Sequence, residues 1–506
     1  MRAALFALLL LTPIAVADVT LHGLFGDHMV LQRDAEVPVW GRADPGEKVK
    51  VVFGGHTRVA TADDQGRWRV ELGPLGATAG RELVVQARNR ITLWGVCVGD
   101  VWICSGQSNM AWPVNAASNA EEEIQRSKDP ELRLFTVPHR VSGEPLADVT
   151  GRWVAAGPDT VASFSAVAFF FGAEMRRAHG VPVGLIHASW GGTPAEAWTR
   201  EATLRSNEEL VPIVTRWETV LRDWPAKRED YEKRLKEWQA QVEAAKAAGQ
   251  PPPRRPRLPR GPEHPHRASG LFNAMIAPLL PFPIRGAIWY QGESNAGRAE
   301  QYRRLFPAMI RDWRAAWGIG DFPFLFVQLA NFRARKPQPA ESDWAELREA
   351  QALALREPGT GMAVAIDIGE AGNIHPGNKQ EVGRRLALAA RVVTHGEADV
   401  VASGPRLARC AFVGAHAIAE FDQAIVTSDQ GSPKGFAVAG RDRAFHWADA
   451  RVEGRRITLS CPAVPEPVAL RYAWADNPAC NVVNRQRLPA PPFRTDDWPG
   501  LTAGKR

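Results

Sequence analysis

Residues 98–110 read VGDVWICSGQSNM, and the fold turns on how that stretch is interpreted. The apolar run through Cys104 has the texture of a buried strand. It then breaks at Gly106 and presents a lone small hydroxyl at Ser108. A strand that stops on a glycine turn delivers its next side chain to the edge of the sheet, where α/β folds place ligands and nucleophiles. Ser-Asn is also ordinary turn chemistry. A nucleophile at Ser108 therefore requires a base, an oxyanion site and a pocket from elsewhere in the chain.

The surrounding sequence has the alternation that such a fold needs. From about residue 98 to 395, the strand candidates VWICSG, VGLIHASWG, GAIWYQG, FPFLFVQLA and MAVAIDIG alternate with amphipathic stretches such as SAVAFFFGAEMRRAH and NKQEVGRRLALAARVV. Strand, loop, helix, strand is the pattern of a parallel α/β sheet. Residues 18–97 read instead as short β segments (VPVWG, VKVVFG, RWRVEL, ELVVQAR) separated by Asp-Pro-Gly and Asp-Gln-Gly turns. This predicts a small N-terminal β domain of sandwich type. Residues 396–506 return to β texture and form a C-terminal β domain. Between them, residues 203–268 interrupt the catalytic pattern with a charged helix and the run PPPRRPRLPRGPEHPHR. The helix has few apolar anchors and the proline run reads as a stiff linker, so this segment is expected to be a solvated insertion.

The 506 residues are too many for one core and suit two or three domains. A formal charge of +6 without a dense basic block gives no indication of a nucleic-acid partner. The first 17 residues, MRAALFALLLLTPIAVA, have the form of a cleaved export signal ending in Ala15-Val16-Ala17. The mature chain is then expected to begin near Asp18, to be periplasmic or secreted, and to have no membrane partner. The five cysteines are few and odd in number; Cys97 and Cys104 read as buried thiols, and Cys410 with Cys461 as a candidate bridge. No zinc or phosphate-loop spacing occurs, and neither a metal nor another cofactor is expected.

Four strand ends together supply the parts of an acyl transfer: Gly106-Gln107-Ser108-Asn109, Ser189-Trp190-Gly191-Gly192-Thr193, Gln291-Gly292-Glu293-Ser294-Asn295 and Asn373-Ile374-His375-Pro376. A serine needs a base, and histidine is suited to that near neutral pH. The tetrahedral intermediate needs fixed donors: the Ser108 N–H, a Gly191 or Gly192 N–H, and an amide from Asn295 or Gln291.

At these residues the sequence resembles the sialate O-acetylesterase family of carbohydrate esterases, within the SGNH-hydrolase superfamily. GQSNM, SWGGTPAEAW, WYQGESN and IHPGNKQEVGRRLA carry the resemblance, together with LFGDHMVLQRDAEVPVWGRADPGE and LREAQ. It implies an SGNH-like three-layer α/β/α parallel sheet with accessory, jelly-roll-like β domains. It also implies metal-free removal of acetyl groups from an acetylated carbohydrate. By the match Ser108 is the nucleophile, His375 the base, and Gly191 or Gly192 with Asn295 the oxyanion residues. Gly292-x-x-Asn295 departs from the superfamily's Gly-x-Asn, so Gln291 stays an alternative donor. The superfamily's aspartate three residues before the histidine is replaced by Gly372. A backbone carbonyl or Asp367 is then the expected partner of His375, with Glu370 and Asn373 behind them. A sialoside and an acetylated hemicellulose such as xyloglucan or xylan are competing substrates. A non-catalytic sugar-binding protein is the alternative of a different class.

Overall fold

The computed structural model describes residues 18–506; the expected export signal, residues 1–17, lies outside the described residues. The central element is one strand, Arg90–Gly106, 17 residues long. Its first part pairs antiparallel with Thr78–Gln86 and parallel with Val30–Gln32. Its last part pairs parallel with Val183–Ser189 and with Gly286–Tyr290. The β segments of the N-terminal region and the α/β region are thus joined through a single strand. That strand runs across position 97/98, where the sequence pattern divides the chain.

In the α/β region the strand order is Trp153–Ala156, Asp129–Thr136, Val183–Ser189, Arg90–Gly106, Gly286–Tyr290, Phe324–Gln328, Thr360–Val364. All neighbours are parallel except the edge strand Trp153–Ala156. Every residue from Val96 to Gly106 is buried, as expected of a strand covered on both faces. Trp102 is level with Gly286, so Trp102 and Trp289 point to opposite faces of the sheet. Phe171, from helix Ala166–His179, meets Trp102 edge-on at 5.0 Å. Trp313, from helix Ala299–Trp317, meets Trp289 edge-on at 5.8 Å on the other face.

The insertion is more tightly built than its charge suggests. Its helix, Val211–Ala247, carries an aromatic ring every seventh residue: Trp217, Trp224, Tyr231 and Trp238. The proline-rich return packs back along the helix. Trp238 Nε1 donates to Pro253 O at 2.8 Å, a Cβ on Gly261 would fall 2.6 Å from the Trp224 ring, and the rings of His264 and Trp217 lie 6.0 Å apart. The return is a strap packed on the helix, where the sequence reading expects a stiff, solvated linker.

The C-terminal region forms two four-stranded antiparallel sheets and a two-stranded one. It docks on the loop after Phe324–Gln328 through Arg348, which is fully buried. The Arg348 guanidinium donates to Leu329 O, Ala330 O, Ala475 O and Asp476 O at 2.7–3.0 Å. Cys410 and Cys461 are both free, which corrects the expected bridge. Cys410 is level with Ile457, one strand (His416–Phe421) away from pairing with it, and Cys461 lies four residues further along. Two strand spacings alone put their backbones about 10 Å apart, beyond disulfide reach.

Gly99 is the residue at which the shared strand passes from one set of partners to the other. A Cβ there would fall 1.8 Å from Pro182 O, the carbonyl that accepts from Asp100 N at 2.9 Å. Gly99→Ala is expected to cost ~3 kcal/mol or more, because the obstruction is backbone on both sides. Thermal unfolding checks this; an unchanged Tm would mean the strand tolerates displacement at its midpoint.

Candidate active site

Gly106 ends the strand with φ +139°, and a Cβ there would lie 2.1 Å from Tyr290 O; only glycine fits. The chain then turns against the neighbouring strand end. Gln107 N donates to Tyr290 O at 2.9 Å, and Gln107 Oε1 accepts from Gly292 N and Ser294 N at 3.4 and 3.2 Å. Ser108 begins the short helix Ser108–Ala111, with no side chain capping its first turn. It is half-buried, at the carboxyl edge of the sheet.

The second strand end comes directly against it. A Cβ on Gly191 would lie 3.5 Å from Ser108 Cβ, so the absence of a side chain there keeps open the space beside the hydroxyl. Gly192 is different: it has φ +73°, has nothing near its Cβ position, and its carbonyl accepts from His266 of the insertion. Of the two glycines, Gly191 is the one placed beside Ser108.

The hydrogen bonds of the third strand end separate the two amides. Gln291 is fully buried. Its Nε2 donates to Thr193 O at 3.2 Å and to Asn295 Oδ1 at 2.7 Å, and its Oε1 accepts from Tyr302 Oη at 3.0 Å. Both amide hydrogens are committed, leaving nothing to donate to an oxyanion. Asn295 Oδ1 also accepts from Ala195 N at 3.0 Å, and Nδ2 donates to Glu196 Oε2 at 2.8 Å. That leaves Asn295 one uncommitted hydrogen, on a side chain 1% exposed.

His375 lies flat on Trp112, with ring centroids 5.0 Å apart and planes 20° apart. Its backbone is held by Asn373, whose Oδ1 accepts from His375 N and whose Nδ2 donates to His375 O, both at 2.9 Å. Glu370 closes the same loop by accepting from Asn373 Nδ2 and Gly377 N. Asp367 does not serve the histidine. Its carboxylate makes a two-pronged pair with Arg385 at 2.6 and 2.8 Å, which corrects the expected Asp367–His375 pairing. A buried guanidinium 18 residues along the chain outcompetes an imidazole for that carboxylate. Burial first, and then the Lys379 ammonium, hold the His375 pKa below its ordinary value, with no carboxylate opposing them.

Beneath the serine lies a polar network that the sequence reading does not single out. Asn109 Nδ2 donates to Ile374 O at 3.0 Å and to Glu293 Oε1 at 2.6 Å, and Lys379 Nζ donates to Asn109 Oδ1 at 2.6 Å. One amide thus ties the residue after Ser108 to the residue before His375. Lys379 Nζ also lies 5.5 Å from the centroid of the Tyr290 ring. Burial pulls Lys379 down to about 7, against Glu293 and Glu370; burial also raises Glu293. The sequence signals for this network are a lysine four residues after the histidine and an acid at an otherwise apolar strand end.

Among the described residues, one group could gather around a metal: Asp100, His179 and His395, at the opposite edge of the sheet. Asp100 is already paired with Arg33 and Arg285, each at 2.9 Å, which weakens it as a ligand for a cation.

Three comparisons bear on this geometry. The family described as carbohydrate esterase, sialic acid-specific acetylesterase, matches residues 98–249 and 268–392, leaving out the strap. The sialate O-acetylesterase of Mus musculus is 30% identical with 92% of each chain covered, and that of Homo sapiens is 29% identical with 93% of this chain and 92% of that protein covered. A crystal structure of a carbohydrate acetylesterase from Xanthomonas citri superposes with a TM-score of 0.81 at 39% identity, covering 95% of this chain and all of that one. On its sequence, and with its serine, glycine and histidine loops gathered at one sheet edge, this chain belongs to the sialic acid-specific acetylesterase family of carbohydrate esterases.

Proposed function

We propose that this protein is a serine-dependent carbohydrate O-acetylesterase working through a Ser108–His375 dyad. The observation that carries the reading is the Asn109 amide, which joins the turn of the serine to the loop of the histidine, with Gly191 against Ser108. His375 takes the proton from Ser108 Oγ as the oxygen attacks the acetyl carbonyl. The oxyanion is met by the Ser108 and Gly191 N–H groups and the remaining Asn295 hydrogen. The imidazolium then gives its proton to the departing sugar oxygen. Water, activated by the same histidine, releases acetate from the acyl-serine. Trp112 under the imidazole and Asn373 on its backbone do the orienting that a third-member carboxylate does elsewhere. We read the sheet and its helices as the SGNH three-layer arrangement, the flanking sheets as jelly-roll-like accessory domains, and residues 1–17 as a signal removed on export.

The relatives' names favour an acetylated sialoside. Acetylated neutral hemicellulose is a second reading, favoured by Trp447, an exposed ring beside a cleft. Acetate release from acetylated sialosides and from acetylated xylan or xyloglucan oligomers tests the activity and ranks the two; no release from any of them would refute it.

Ser108 is expected to be labelled by a fluorophosphonate. Ser108→Ala should abolish the label and lower kcat by at least ~10⁴-fold. Label mapping to Ser105 or Ser294 would refute the assignment. Asp367→Asn should leave kcat within about tenfold while destabilising the fold by ~1–3 kcal/mol through Arg385; a collapse of kcat at unchanged Tm would restore Asp367 to the reaction.

Lys379→Met removes a cation that holds His375 down. The base must be neutral to act, so activity is lost as pH falls through the pKa of His375. Raising that pKa should move the acid limb of kcat/KM to higher pH. A limb that stays in place while kcat falls at all pH values would show that Lys379 acts by packing alone.

A further inference from the structure

A cleft lies in the seam between the C-terminal sheets and the loop that follows strand Phe324–Gln328. Its walls include Trp447, Trp474, Phe445, Arg443, Arg471 and Glu341. Trp447 is 39% exposed, yet its ring is fixed, because Nε1 donates to Pro337 O at 2.9 Å. It also borders a second hollow, on the side of Asn477 and Pro478. The seam is rigid. Besides Arg348, Asp476 Oδ1 accepts from Ser342 Oγ at 2.5 Å, and Asn331 Nδ2 donates to Asn477 Oδ1 at 2.9 Å.

Arg471 is neutralised within the wall of the cleft. Arg471 pairs with Asp496 and Glu341, both at 2.8 Å, and its guanidinium sits 4.1 Å from the Phe445 ring centroid and 5.1 Å from that of Trp474. A fixed, exposed indole face, with the exposed Arg443 as a donor in the same wall, matches a pyranose ring, which is apolar on its C–H faces and hydroxylated at its edge. The electron-rich face of the Trp447 ring gives an anion no advantage.

The loop that forms one wall of the cleft also reaches the loop of the histidine. The strand that feeds the loop is parallel to the strand of Ser108 and two places away from it, about 10 Å laterally. Asn331, on the same loop, accepts from Gly369 N at 2.7 Å, six residues before His375. We propose that the Trp447 cleft is an accessory subsite for a neutral oligosaccharide chain whose acetylated residue lies at Ser108. The claim rests on the carbohydrate esterase reading, but binding can be tested without turnover.

Isothermal titration of the full-length protein with deacetylated xylohexaose and with xyloglucan heptasaccharide is the primary measurement, with sialyllactose as the anionic arm. At least one neutral probe should bind, and more tightly than sialyllactose. Trp447→Ala should weaken that binding by about tenfold or more, the scale of losing an aromatic anchor. Trp447→Phe, which keeps a ring face, should retain most of it. Both variants should hydrolyse 4-nitrophenyl acetate at the wild-type rate. Absence of binding by either neutral probe, stronger binding of sialyllactose, or unchanged affinity in Trp447→Ala would each overturn the subsite. A failure of Ser108 labelling would instead count against the esterase mechanism and leave the binding result standing.

Discussion

Two regions of the molecule hang on the shared strand Arg90–Gly106 and on the carboxylate buried within it. At 17 residues the strand spans about 55 Å, longer than most strands of globular domains. Asp100 lies where the two sets of partners meet and is 1% exposed. Burial pushes its pKa up, but Arg33 from the N-terminal region and Arg285 from the α/β region hold it below the ordinary carboxylate value. A buried carboxylate with two guanidiniums, one from each region, fixes the register of the strand, because any slip would strand a charge in the interior. Gly106 and Ser108 are delivered at the far end of that pinned strand.

The active site shows a similar economy of movable parts. In a triad the third carboxylate both orients and charges the imidazole environment. Here those tasks are divided. Stacking on Trp112 and the Asn373 bonds fix the histidine, while the formal charge that acts on it is that of Lys379, held under the serine through Asn109. The electrostatic consequence is opposite to that of a carboxylate: the imidazole is held neutral, which in the proposed dyad readies it to accept a proton and gives less help to the imidazolium once formed.

How much of this was legible in the sequence depended on the range of the interaction. The strand ends could be read because Gly106, Gly191 and Gly292 punctuate apolar runs, and local punctuation survives folding. The different bonding of Gln291 and Asn295 could not, since Gln291 is engaged by Thr193 and Tyr302, residues distant or on another element. The engagement of Asp367 is hidden for a related reason. An eight-residue separation permits a return to His375, but nothing local reveals that Arg385 is already waiting on the following helix. In the insertion, dense charge obscured the seven-residue spacing of Trp217, Trp224, Tyr231 and Trp238, which becomes meaningful only beside the prolines that cover it.

The joint strand also sets a rule for how this protein can be divided. Two domains joined by a linker can be cut apart and each can keep its own hydrogen bonds. Here a cut ahead of residue 90 would leave the α/β half carrying a projecting, apolar strand end, Val96-Cys97-Val98, stripped of Val30–Gln32 and Thr78–Gln86. Such an unpaired ribbon invites pairing with other chains. The smallest unit that keeps the strand of the serine fully paired therefore includes the N-terminal β region.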